Sequence, residues 1–267
     1  MAHVIAIANQ KGGVGKTTTA INLGASLAVA EKRTLVLDID PQGNASSGLG
    51  IADRSSRPTV YDVLIGQSDV SEAIVENVHF PFLDVVPSTR DLVGAEIELV
   101  SAFSRETILR KALTTIQDRY EYILVDCPPS LGLLTVNTLT AADSVLIPIQ
   151  CEFYALEGLS QLLNTVRLVQ RGLNPGLDIE GVLLTMFDKR LNLSRQVAEE
   201  AREYFGPKVY RSIIPRNVRL AEAPSFGQPI VLYDVLSAGA QAYLSLAHEV
   251  IDRKAREDAA APTKAGQ

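Results

Sequence analysis

Val4-Ile5-Ala6-Ile7-Ala8, then Asn9-Gln10-Lys11-Gly12-Gly13-Val14-Gly15-Lys16-Thr17-Thr18, then a helical spacing of apolar residues through Ala30: this stretch decides the fold. An apolar β-branched run, a glycine loop and a helix follow one another without a gap, which is the context a phosphate-binding loop requires. The glycines let successive backbone N–H groups converge on phosphate oxygens, and the helix N-terminus adds its partial positive charge. Lys16 supplies a full positive charge, and Thr17 is placed to offer its hydroxyl to Mg²⁺. The expected nucleotide contacts are therefore Lys11, Gly12, Gly13, Val14, Gly15, Lys16, Thr17 and Thr18, holding a triphosphate of the ATP type. Against the usual pattern G-x-x-x-x-G-K-[ST], Gln10 stands where the first glycine belongs, and an extra lysine, Lys11, follows it.

Outward from the loop, short apolar runs recur at Thr34–Leu37, Leu83–Val86, Tyr122–Val125, Ser144–Ile149, Gly181–Thr185 and Val209–Ile213. Between them lie helical spacings at Arg105–Arg119, Ala155–Arg171, Ser194–Phe205 and Ala238–Arg256. Alternation of this kind predicts βαβ units. Continuous rather than alternating apolar runs predict strands covered on both faces. The expectation is an α/β fold, a mostly parallel central sheet with helices on both faces, in a single domain over 1–257 followed by a disordered tail over 258–267.

Two more strand ends carry acids. Leu35-Val36-Leu37 runs into Asp38-Ile39-Asp40-Pro41-Gln42-Gly43-Asn44, and Tyr122-Ile123-Leu124-Val125 into Asp126-Cys127-Pro128-Pro129. Open α/β sheets bind ligands at this carboxyl edge. Mg²⁺ on a nucleotide keeps several waters, so one carboxylate suffices to hold it, and Asp126, acting through water, is the residue chosen, with Asp40 as a second candidate. Asp40 is placed beside the attacking water. An aspartate, with a reference pKa near ~3.9, accepts a proton from water poorly, so positioning and electrostatic help are expected of it rather than full base catalysis. Asp38 is expected to act as a supporting partner. Lys11, Lys16 and Asp40 make up the catalytic set, and slow intrinsic hydrolysis follows from the lack of an evident catalytic arginine or glutamine.

The 267 residues are 46% hydrophobic and 21% charged, close to ordinary globular averages. The net charge of −6 argues against a chain that is basic all over, so nucleic-acid contact must come from a local patch. Two cysteines, Cys127 and Cys151, form no disulfide framework and no zinc spacing. No apolar run approaches the ~20 residues that cross a bilayer, and no basic leader precedes Val4; a cytoplasmic protein is expected.

Four segments together resemble the ParA/Soj family of bacterial chromosome- and plasmid-partitioning ATPases: Asn9–Thr18, Asp38–Leu49, Asp126–Ser130, and Ile213-Ile214-Pro215-Arg216-Asn217-Val218-Arg219-Leu220-Ala221-Glu222-Ala223-Pro224-Ser225. The chain is similar to the short form, beginning almost at the loop with no added helix-turn-helix. The resemblance implies the deviant Walker A class, in which Lys11 of each subunit reaches the other's phosphates in an ATP-dependent homodimer. It implies a closed dimer that binds DNA without sequence preference, hydrolysis stimulated by a ParB-type centromere-binding protein, and association with the nucleoid. It points to Arg190 and Arg219 for DNA, with Lys189 and Arg195 nearby. It also suggests adenine beside Pro215-Arg216-Asn217, which on the residues alone reads equally as a proline turn. Glu152 and Glu157, after another strand end, are candidates for the ribose or the subunit interface.

Three alternatives share the loop. A MinD-like positioning ATPase needs a basic amphipathic C-terminal helix, and Asp252-Arg253-Lys254-Ala255-Arg256-Glu257-Asp258 leads instead into an alanine-rich polar end. An iron–sulfur electron carrier needs two placed cysteines per subunit, and Cys127 keeps that reading open. A DNA-binding structural protein using ATP only for assembly has no need of Asp40 and Asp126 as a pair.

Overall fold

The computed structural model describes residues 1–51, 57–152 and 159–260. Six strands form one sheet in the order β3-β2-β4-β1-β5-β6: β1 His3–Ile7, β2 Thr34–Asp38, β3 Leu83–Val86, β4 Tyr122–Asp126, β5 Ser144–Gln150 and β6 Asp178–Thr185. Every ladder among them is parallel, as expected of apolar runs joined by helical crossovers.

The pleat of the strands explains why both faces are apolar. Val4 and Ala6 of β1, Leu35 and Leu37 of β2, Ile123 and Val125 of β4, and Val145 and Ile147 of β5 belong to one buried cluster. Their alternates Ile5, Ile7, Val36, Leu124 and Leu146 belong to a second. Over the first face lie α3 (Val60–Leu64), α4 (Leu92–Glu98), α5 (Ile108–Thr114), α6 (Leu133–Ala141), α7 (Leu159–Gly172) and α8 (Asn192–Phe205). Over the second lie α1 (Lys16–Val29), α2 (Asn44–Gly48), α9 (Val218–Glu222), α10 (Ile230–Tyr233) and α11 (Ala238–Ala260). Helix α1 sits hard against the sheet: a Cβ on Gly24 would come within 2.5 Å of Val36 Cγ2.

Three boundaries differ from the sequence reading. Val209–Ile213 makes no seventh strand. It bridges β6 only at Val182–Val209, because the Arg211 and Ser212 amides turn away to the Glu249 carboxylate on α11, at 2.9 and 3.0 Å. The expected helix over Arg105–Arg119 is cut to Ile108–Thr114 with 3-10 turns on either side. The β-branched run Thr114-Thr115-Ile116 stops it, and the Thr114 and Thr115 hydroxyls donate back to the Arg110 and Ala112 carbonyls. Helix α11 runs to Ala260, past the expected boundary at 257; residues 261–267, like Glu157, lie outside the described residues. Among the described residues no helix is long and apolar enough to cross a membrane.

Candidate nucleotide site

At the carboxyl edge of the sheet the loop after β1 is braced from both sides. Asn9 Nδ2 donates to the Pro148 carbonyl of β5 at 2.7 Å while its Oδ1 accepts from the Lys11 amide at 3.0 Å. Thr185, the last residue of β6, donates its hydroxyl to the Val14 carbonyl at 2.8 Å. Gly13 and Gly15 adopt φ of +72° and +91°, a left-handed backbone that only glycine takes without strain. Gly15 is the residue that caps α1, so the free amides of the first helical turn face the loop. Lys16, in that turn, is 7% exposed and its Nζ donates to the Lys11 carbonyl at 3.0 Å. Burial pulls its pKa below the usual lysine value, against the opposing charges of Asp126, Cys127 and Asp40. A buried cation held by one carbonyl is one that an incoming phosphate can recruit.

The two acidic strand ends meet here. Asp38 and Asp126 are register partners on adjacent strands, and both are fully buried. They differ in their partners. Asp38 accepts from the Ser46 amide at 2.8 Å, the Ser46 hydroxyl at 2.6 Å and the Asp40 amide at 3.2 Å; the Ser46 hydroxyl in turn accepts from the Ser88 amide at 3.0 Å. This clasp fixes the turn that carries Asp40, whose Oδ1 accepts from Gln42 N at 2.9 Å. Burial pushes the Asp38 carboxyl up to about 6 even against those hydrogen bonds.

Asp126 has neither oxygen hydrogen-bonded. Burial first, then the neighbouring Asp38 charge, drives its pKa well above the carboxylate range, and the nearby Thr17 hydroxyl and Lys16 offset only part of this. A carboxylate with two unpaired oxygens beside a hydroxyl is a hard-oxygen donor set of the kind that suits a divalent cation. Among the described residues no cluster of three or more His, Cys, Asp or Glu could hold a metal alone.

Because the folded Asp38 carboxyl titrates above its unfolded value, folding takes up protons between about pH 4 and 6, and stability falls as pH rises through that window. In the nucleotide-free state the native protein should lose ~2–3 kcal/mol relative to Asp38→Asn across it. Urea unfolding at a series of pH values reads the difference, and parallel curves would refute it.

Beyond the loop opens a cavity of about 350 Å³, walled by Gly15, Thr18, Met186, Pro215, Asn217 and Tyr243 among others. Its walls are mainly apolar, and its size suits a purine. The sequence-expected Pro215-Arg216-Asn217 thus borders the same cavity as the loop. Asn217 is partly committed, since its Oδ1 caps α9 at Leu220 N, 3.3 Å away. Arg216 pairs with Glu152 across the rim. Met186, with φ of +50°, and Thr185 carry no sequence signal beyond lying at the end of a strand. A larger cleft of about 620 Å³ between Lys208, Arg211 and α11 lies around the start of β6, the edge opposite the loop, and its acids and bases are balanced.

The candidate DNA residues all follow β6 in the chain. Arg190 grips Asp188, Nε to Oδ1 at 2.9 Å and Nη2 to Oδ2 at 2.7 Å, and holds that carboxyl down to about 2. Arg219 pairs with Glu222 at 2.9 Å and Asp234 at 3.6 Å. Arg195 donates to Asn192, while Lys189 has no partner among the described residues. Both favoured arginines therefore start from an internal ion pair. The two cysteines are 1% exposed, and burial pushes their thiols up to about 12 and about 11. Both sit in the core as small packing residues.

A family profile described as an AAA domain matches residues 2–179. The sporulation initiation inhibitor protein Soj of Bacillus subtilis is 62% identical over 254 residues, covering 94% of this chain and 98% of that protein. The chromosome partitioning protein ParA of Myxococcus xanthus is 58% identical over 253 residues, covering 95% and 89%. Among solved structures, cobyrinic acid a,c-diamide synthase from Mycobacterium smegmatis with bound ADP and magnesium superimposes with a TM-score of 0.83 at 36% identity, covering 96% of this chain and 97% of that one.

Proposed function

Since the chain belongs to the ParA/Soj family of partitioning ATPases, we propose that it is an ATP-dependent switch: dimeric and DNA-bound with ATP, released on hydrolysis stimulated by a ParB-type partner, and so a segregator of chromosome or plasmid on the nucleoid. The observation that carries the reading is the unpartnered Asp126 carboxylate beside buried Lys16, together with a purine-sized cavity lined by Gly15 and Thr18 of the same loop. Glycine-loop amides and Lys16 bind the phosphates. Pro215 and Asn217 flank the base, with the Arg216–Glu152 pair at the rim. Thr17, and Asp126 through water, hold Mg²⁺, which supplies charge neutralisation on the phosphates when bound. Asp40, fixed by the Asp38–Ser46 clasp, orients the attacking water. Lys11, whose side chain has no partner among the described residues, acts on the other copy's phosphates.

DNA contact is assigned to Arg190 and Arg219, with Lys189 and Arg195 beside them. An arginine already paired with a carboxylate brings less net charge to a phosphate, so the two should matter unequally. Arg219→Ala is expected to weaken ATP-dependent binding to a random duplex by roughly tenfold at low salt and to lower the salt slope by about 1. Arg190→Ala, which frees one acid, Asp188, where Arg219→Ala frees both Glu222 and Asp234, should cost less. Fluorescence anisotropy with ATP, ADP and no nucleotide at two salt concentrations measures both. Nucleotide-independent binding, or none in any state, would reject the switch.

A further inference from the structure

Helix α4 and the turn after it bury one apolar stripe and expose another. Leu92, Ala95 and Leu99 are in the core, whereas Val93, Ile97, Val100 and Phe103 are 57, 75, 62 and 96% exposed. Val93, Ile97 and Val100 share one side of α4 and the 3-10 turn Leu99–Ser101 that continues it, and Phe103 follows just past the extended Ala102. An exposed apolar ridge of this length on a folded domain marks a surface that something covers.

Charge narrows what that is. From Asp91 to Ser104 the segment carries Asp91, Glu96 and Glu98 and no lysine or arginine. Phosphates of DNA and anionic lipid headgroups are repelled by such a segment, and interfacial membrane helices carry the opposite sign. The occupant is an apolar protein surface.

Position narrows it further. Helix α4 follows the carboxyl end of β3, at the same sheet edge as the phosphate loop. It touches the loop that follows Asp126: the Glu96 carboxylate lies over Gly132, where a Cβ would have to push it aside. On that edge, then, stand an apolar ridge without cover and the Lys11 side chain without a partner among the described residues, joined by the Pro128–Gly132 loop.

We propose that the ridge Val93–Ile97–Val100–Phe103 packs against a second copy of this chain in the nucleotide-closed dimer, an inference that rests on the ATP-dependent dimer of the proposed function. A two-fold axis through this edge brings like surfaces together, and the four apolar side chains are self-complementary; of the acids between them, Glu96 is turned onto Gly132 and Glu98 accepts from the Tyr61 hydroxyl at 2.9 Å. Four such side chains cover on the order of 400 Å² per copy, about half of what a stable interface buries on each side; the loops around the nucleotide furnish the rest. Glu96 over Gly132 then ties the seating of the ridge to the loop that leads from the metal-binding carboxylate.

Sedimentation velocity with Mg²⁺ and a non-hydrolysable ATP analogue tests this on the native protein, Ile97→Asp and Phe103→Ser. The ridge is exposed, so both variants should keep the native melting temperature and the native affinity of the monomer for a fluorescent nucleotide. The expected result is a dimer dissociation constant raised roughly a hundredfold in Ile97→Asp, each change being counted twice by symmetry, and roughly tenfold in Phe103→Ser. A native protein that dimerises alongside variants that dimerise equally well would overturn the ridge assignment and leave the switch standing. Variants that dimerise normally but lose stimulation by the partner protein would overturn it too, giving the ridge to that partner. A native protein that stays monomeric with the analogue would remove the switch and the ridge together.

Discussion

Asp126→Ala should raise the melting temperature of the nucleotide-free protein while lowering Mg²⁺-dependent turnover roughly a thousandfold. The two effects share one cause. A fully buried carboxylate with no hydrogen bond costs the apo fold on the order of 1–3 kcal/mol as an unsatisfied group. Removing it leaves a small void, worth about 0.5 kcal/mol at ~24 cal/mol per Å³. The net gain is a few degrees, at ~2–4 °C per kcal/mol for a domain of this size. The sign with pH is fixed as well. Because the folded pKa lies well above the ordinary value, the part of the penalty linked to proton uptake is absent in acid, where the group is protonated in both states, and grows as pH rises above about 4. Calorimetry at pH 4 and pH 7.5 should show the larger stabilisation at the higher pH. A variant less stable than the native protein at pH 7.5 would mean that the carboxylate contributes to the apo fold after all.

Lys16→Ala should abolish nucleotide binding outright, with affinity down by at least ~10³, whereas Lys11→Ala should leave monomer affinity within a few-fold and remove dimerisation. Lys16 is buried at 7% exposure, so its cation meets phosphate in poorly screened surroundings. Lys11 offers the loop only its backbone, the amide to Asn9 and the carbonyl to Lys16, and its ammonium is free for another molecule. Nucleotide titration calorimetry alongside sedimentation separates the two lysines. Equal losses of affinity would show both acting within one subunit.

The architecture was legible because the forces that built it are local. Six of the seven apolar runs became strands, and their unbroken hydrophobicity foretold burial on both faces. The seventh, Val209–Ile213, has the right residues, but its amides are captured by Glu249, some forty residues on in the chain, and a single-segment reading cannot see such a competitor. The glycine loop and both acidic strand ends could be read for the same reason, since each follows a strand directly. What brought the rest into the site was three-dimensional. Asn9 reaches Pro148 only once β5 pairs with β1, and Thr185 reaches Val14 only once β6 has added to β5; Ser46 identifies Asp38 as a clasp only after the chain turns back. The ion pairs that occupy Arg190 and Arg219 were hidden too, although Asp188 and Glu222 stand only two and three residues away, because charge counting does not say which neighbour a guanidinium chooses.

The strand order also governs how the molecule comes into being. Strand β1, which precedes the other five strands in the chain, lies between β4 and β5, so the phosphate loop cannot be fixed until residues beyond Gln150 have been synthesised. Its neighbour His3–Tyr122 in the ladder is a closure over more than a hundred residues, which makes folding slow by the contact-order argument. At ~5–20 residues per second of synthesis, the opening segment waits many seconds with its apolar strand exposed. Nucleotide cannot assist before then, and the binding loop, though it precedes β2 to β6 in the chain, becomes competent only after β5 and β6 are in place.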